Sequence, residues 1–192
     1  MAAVMMLAAL PLFFLNMLGG LAGGIGIAVQ GHWGLLFGGI AWIVGGAFLI
    51  SIAMLPGMIF APLAIWASNS GNTFVAAVAA IPTVLWTYFV LTVTSIAVFQ
   101  NVVARPDSGL FHLLWGYSVT TAPWSFMASK DQQTGSAASS ISMFFVQLGV
   151  LAMMAASWSN PEAVTIAKLI PWFVPFMICG LAASVFVSVV EG

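Results

Sequence analysis

The chain has 192 residues, 62% of them hydrophobic, and only seven charged side chains: Arg105, Lys130 and Lys168 against Asp107, Asp131, Glu162 and Glu191. A soluble domain of this size needs roughly a quarter of its surface residues charged, so this surface has to face hydrocarbon, and residues 1–192 read as a single transmembrane domain. A net charge of −1 with no basic cluster excludes nucleic acid and a polybasic lipid anchor, and the lone Cys179 excludes a disulfide framework within one chain.

A membrane crossing needs about twenty apolar residues. The first such segment covers about Val4–Val29, with Asn16 its one strongly polar member. It lacks the cationic start of a signal peptide and exceeds the length of a signal core, so it reads as a retained membrane helix, with cleavage in its glycine-rich part as the runner-up. After the turn Gly31–His32–Trp33, the second segment runs from about Gly34 to Leu55 and meets Pro56-Gly57. Met58–Trp66 is too short to cross and contains Pro62. It reads as a kinked continuation of the second helix into the interface, with a re-entrant piece or a helix lying at the interface as the alternatives. Ser68–Asn72 is a loop, and a long third span covers Thr73–Val103, with room for tilt or a kink at Pro82.

Ala104–Gly109, carrying Arg105 and Asp107, reads as an aqueous connection. The next segment, Leu110–Ala128, holds His112, Gly116, Ser118, Thr120, Thr121 and Pro123, and reads either as a short crossing or as a half-crossing. Ser129–Ser140 is the longest polar stretch. Two further spans follow, about Ile141–Trp158 and Val164–Val190, parted by Ser159–Glu162. The fold class is therefore an all-α polytopic membrane protein, a bundle of five or six transmembrane helices with glycine-rich packing and proline kinks. Three cations do not set its orientation, and the host membrane stays open.

Twelve of the nineteen glycines lie within the first 57 residues. The pairs Gly19/Gly20 and Gly23/Gly24, and then Gly38/Gly39 and Gly45/Gly46, predict a tight hairpin of the first two helices. A narrow pore lined by backbone, or packing between subunits, are the competing readings. Pro82, Pro171 and Pro175 predict kinks, with broken-helix solute sites as the functional alternative. Trp33, Trp66, Trp115, Trp124, Trp158 and Trp172 fall near segment ends and read as interface anchors, whereas Trp42 and Trp86 lie deeper.

Lys168 is the one cation near membrane depth and reads as snorkelling to the headgroups. Neutral polar groups remain as candidates to line a path: Asn16, Thr87, Thr94, Ser95 and Gln147, the hydroxyls having their own helix carbonyls as default partners. His32 and His112 lack carboxylate neighbours and read as interface histidines. No catalytic residue, metal ligand set or cofactor is predicted, and no nucleophile–base pair, phosphate loop or HExxH pattern is present. Two functions fit. One is an oligomeric channel or facilitator for a small neutral or weakly acidic solute. The other is a non-catalytic structural or accessory subunit of a larger membrane complex. The expected partners are membrane lipids and either further copies of the chain or other membrane subunits.

The strings GGIA (Gly38–Ala41) and GNTF (Gly71–Phe74), with Trp86 fifteen residues after Gly71, resemble fragments of the acetate and succinate permease family, whose members are six-helix oligomeric channels. The likeness covers under a tenth of the chain, the amino-terminal Asn-Pro motif of that family is missing, and no residue role is carried over.

Overall fold

A computed structural model describes residues 2–103, 109–133 and 137–191. Those residues are helical almost throughout and contain no strand. The helices are α1 (Ala2–Val29), α2 (Trp33–Met58), α3 (Ala61–Asn69), α4 (Thr73–Val103), α5 (Leu110–Gln133), α6 (Ala137–Ser159) and α7 (Ile166–Glu191), with a single 3-10 turn at Pro161–Ala163. Five of them, α1, α2, α4, α6 and α7, are long and apolar enough to cross a membrane. Their outward faces carry large apolar side chains such as Leu21, Ile25, Val44, Phe48, Phe89 and Phe186. That is the surface expected of a multi-pass integral membrane protein.

Helix α5 differs from these five. Its 24 residues make a rod of about 36 Å, as long as a crossing needs, yet its composition is too polar for it to stand among them. It is also the helix the others surround, packing on α1, α2, α4 and α6. From His112 to Trp124 every residue but Leu114 and Ala122 is buried. Hydroxyls are tolerable there because neighbouring helices, not lipid, meet them.

The connections follow from local chemistry. Gly31, at φ +79°, ends α1 in a Schellman turn, with the His32 amide bonding Ile27 O and the Gly31 amide bonding Ala28 O. The break between α2 and α3 is only Ile59 and Phe60, whose amides bond Pro56 O and Gly57 O. Pro62, lacking an N–H, sits in the first turn of α3 where none is needed. The kinked continuation read for Met58–Trp66 therefore takes this form, and α2 extends past Leu55 through Pro56 to Met58. Asn72 caps α4, its Oδ1 accepting from the Phe74 and Val75 amides at 3.1 and 3.3 Å.

Two readings from the sequence are corrected. The glycine face of α1 packs mainly on α5 and only marginally on α2. A Cβ on Gly20 would lie 2.8 Å from Ser118 Oγ, one on Gly23 2.5 Å from Trp115 N, and Gly26 closes on the Phe111 ring. Residue numbers rise along α1 as they fall along α5, so the two run antiparallel. A bare glycine face signals that a backbone comes close but not which one. Trp115 and Trp124, taken as interface anchors, are each 6% exposed inside the bundle. Trp33, Trp66, Trp158 and Trp172 are exposed, as read. The polar stretch Ser129–Ser140 is largely helical, because α5 continues to Gln133 and α6 begins at Ala137. Lys168 lies in the first turn of α7. The loop positions Arg105 and Asp107 lie outside the described residues.

Candidate functional site

The polar groups of the bundle gather along α5. On its α1 side, Ser118 Oγ donates to the Asn16 carbonyl at 2.6 Å, and Asn16 Nδ2 donates to Thr121 Oγ1. Gly20 makes this possible, since any side chain there would occupy the place of the Ser118 hydroxyl. Thr121 Oγ1 also donates to Tyr117 O at 2.8 Å, and Thr120 to Gly116 O at 2.6 Å. On the α6 side, Tyr117 OH donates to Gln147 Oε1 at 3.2 Å, while Gln147 Nε2 donates to Ser125 Oγ at 3.3 Å. The amide of Gln147 is thus engaged at both ends.

The five sequence-selected path residues are consequently spread over three neighbours. Asn16 and Gln147 both meet α5, from α1 and α6 respectively. Thr87 and Thr94 bond their own helix, at Thr83 O (2.9 Å) and Val90 O (2.6 Å). Ser95 is 1% exposed, and its Oγ has no hydrogen-bond partner among the described residues.

A second polar centre was not singled out from sequence. Tyr88 OH of α4 lies 2.9 Å from Ser142 Oγ of α6 and 3.1 Å from Ser184 Oγ of α7, and the two serines are 2.9 Å apart. Three hydroxyls on three helices close a ring. Both tyrosines of the chain, Tyr88 and Tyr117, therefore bridge helices. A phenol inside a membrane-length helix was the available signal, because a buried Tyr hydroxyl normally finds a partner. Its two serines gave none.

Two tryptophans plug into glycine notches of α2. Trp86 Nε1 donates to Ala53 O at 2.8 Å beside Gly57, and Trp115 Nε1 donates to Leu35 O at 3.2 Å beside Gly39. A Cβ on either glycine would fall 2.6–2.7 Å from the indole.

At the end of the bundle formed by the α1–α2 turn and the start of α5, the rings of His32 and His112 meet edge to face, with centroids 5.1 Å apart. Among the described residues, no three His, Cys, Asp or Glu side chains are grouped as a metal site would require. Lys168 is exposed, and its Nζ donates to the backbone carbonyl of Glu162 at 3.5 Å. The interior seam is thus built from hydroxyls, amides and indoles, groups that exchange hydrogen bonds without carrying charge.

The chain matches no known protein family, no curated protein and no solved structure. The short permease-like strings fall on α2, where Gly39 packs on Trp115, and on the α3–α4 turn with the start of α4, and no match extends them.

Proposed function

We propose that this chain is a non-catalytic integral membrane subunit with six crossings, α5 being the sheltered one, and that the outer face of α2 receives a transmembrane helix of another subunit or copy. Two sets of glycines carry this reading. Those of α1 are filled by α5. On α2, by contrast, Gly34, Gly38, Ala41 and Gly45 recur at steps of four, three and four residues on one outward face. Beyond the helix's own backbone, no atom of the described residues comes within 4 Å of a Cβ position at any of these three glycines. Hydrocarbon gives little drive for helix association beyond close approach and dispersion, and small residues at this spacing allow that approach. The uncharged seam along α5 supports a role without catalysis, since hydrolytic and phosphoryl-transfer transition states develop charge that must be met.

A second reading, a facilitator for a small neutral or weakly acidic solute, draws support from the hydroxyl and amide groups that follow α5. It is the weaker of the two because Asn16 and Gln147 already spend their amides between helices, and a passing solute would have to break those bonds.

The test is the mass of the protein extracted into native lipid discs, with identification of everything bound. A stable assembly that Gly38→Leu and Gly45→Leu dissolve, without loss of the chain's own fold, is the expected result. A chain that runs alone and carries solute into liposomes would overturn the subunit reading.

A further inference from the structure

Two buried polar atoms of the membrane interior have no hydrogen-bond partner among the described residues although nothing in their chemistry excuses it: Ser95 Oγ of α4 and Trp42 Nε1 of α2. The three threonines nearest Ser95 on α4, Thr87, Thr92 and Thr94, all bond back to the carbonyl four residues earlier. Ser95 does not, and it is the most buried of the hydroxyls singled out on that helix. Two other bundle indoles, Trp86 and Trp115, each reach a carbonyl of α2. Trp42 does not.

Both atoms fall at one level of the fold. A Cβ built on Gly46 would lie 2.9 Å from Trp42 Cε2, the carbon bonded to Nε1, and 3.1 Å from Pro123 Cγ. The Trp42 indole edge and Pro123 therefore share the Gly46 notch between α2 and α5. On the α4 side, Gly116 of α5 faces Val103, at 2.6 Å from a Cβ built there, with Val102 and Phe99 behind it. Ser95 is seven residues before Val102 and Pro123 is seven after Gly116. Two helical turns along each of these antiparallel helices bring Ser95 to the level of Pro123 on the same faces. Pro123 has no N–H, so the Val119 carbonyl, four residues earlier, loses its helical donor at this level too. An indole donor, a hydroxyl and a freed carbonyl thus lie at one level of the bundle where α2, α4 and α5 pack.

We propose that this junction binds a water-sized neutral molecule, namely one water, that accepts from Trp42 Nε1–H, donates to the Val119 carbonyl and exchanges a hydrogen bond with Ser95 Oγ. Unmet polar groups are costly at membrane depth, and three convergent polar partners are what a buried water uses. The site ties α5 at Pro123 to its two neighbours. It stands independently of the subunit role, since it lies inside the fold of one chain.

The experiment is ¹⁵N-indole NMR of the full-length protein in lipid discs, with the Trp42 resonance assigned through Trp42→Phe. Trp42 should show a cross-peak to water, whereas the Trp86 and Trp115 indoles, already bonded to carbonyls, should show none. Ser95→Val should abolish the Trp42–water peak, and Ser95→Ala, which adds no bulk, should weaken it severalfold and serves where the valine variant does not fold. A Trp42 indole that contacts acyl chains and no water overturns the proposal, as does a water peak unchanged in both Ser95 variants.

Discussion

Replacing Gly23 by alanine adds one methyl group where α1 and α5 touch backbone to backbone. The new Cβ would stand 2.5 Å from the Trp115 amide nitrogen and 2.9 Å from the Phe111 carbonyl oxygen, against an ordinary separation of about 3.5 Å or more. Neither backbone atom can rotate aside, so the helices must part by roughly 1 Å, which forfeits about a quarter to a half of the dispersion energy of each atom pair along the seam. Overpacking of this kind costs about 1–3 kcal/mol. Parting also stretches the Ser118–Asn16 and Asn16–Thr121 hydrogen bonds, and such interhelical bonds are worth roughly 0.6 kcal/mol each in lipid. Alanine's helix propensity returns up to about 1 kcal/mol. The net expectation is a loss of roughly 2 kcal/mol, read by reversible SDS unfolding in mixed micelles. Gly38→Ala is the control, because its methyl group meets no atom within 4 Å. It should leave the isolated chain unchanged or stabilise it by up to about 1 kcal/mol. If Gly23→Ala unfolds at the same SDS fraction as Gly38→Ala, the two backbones are not in contact and the account of the seam fails.

Three further outcomes are expected from the same unfolding assay. Tyr88→Phe removes one corner of the hydroxyl ring but leaves Ser142 and Ser184 bonded at 2.9 Å, so the loss should be about 1 kcal/mol. Adding Ser184→Ala should then cost more than the separate effects combined, because it strips Ser142 of its last partner in the ring. Gln147→Leu leaves Tyr117 and Ser125 each without the amide that joins α5 to α6, and should cost about 1–3 kcal/mol. Thr87→Val deletes only a bond to the residue's own helix and should stay within about 0.5 kcal/mol of wild type. If Thr87→Val proves the costlier of these two, the division between bridging and self-satisfied polar groups is wrong.

The parts of the fold that were legible are those set by local chemistry. Thr73–Val103 is read with the boundaries it has, because Asn72 caps one end and Arg105-Pro106 follows the other. The five apolar helices announce themselves by length alone. Helix α5 does not, since hydrophobicity reports what a helix shows to lipid, and from His112 to Trp124 α5 is almost wholly buried. Once α5 is placed at the centre, Trp115 and Trp124 move from the interface to the interior with it. Of the candidate polar residues, Asn16 and Gln147 proved to bridge helices while Thr87 and Thr94 took the default for hydroxyls. Nothing local to any of them records a partner that sits on another helix. The ring of Tyr88, Ser142 and Ser184 was out of reach for the same reason, since it joins residues as much as 96 positions apart.

That separation has a consequence for how the chain is made. Asn16 and its partner Ser118 are 102 residues apart, so α1 leaves the ribosome long before the helix that covers its glycine face exists. Until then that face rests against lipid or a chaperone of the insertion machinery. Helix α5, too polar to favour hydrocarbon alone, gains its place only once α1, α2 and α4 are there to receive it. In the six-crossing arrangement, its entry is the step at which synthesis and folding become one event, and α6 and α7 then close the open side. Nascent chains long enough for Gln133 to have cleared the ribosome should already protect the α1 glycines from water-soluble thiol probes placed beside them, and chains from which Leu110 has not yet emerged should not.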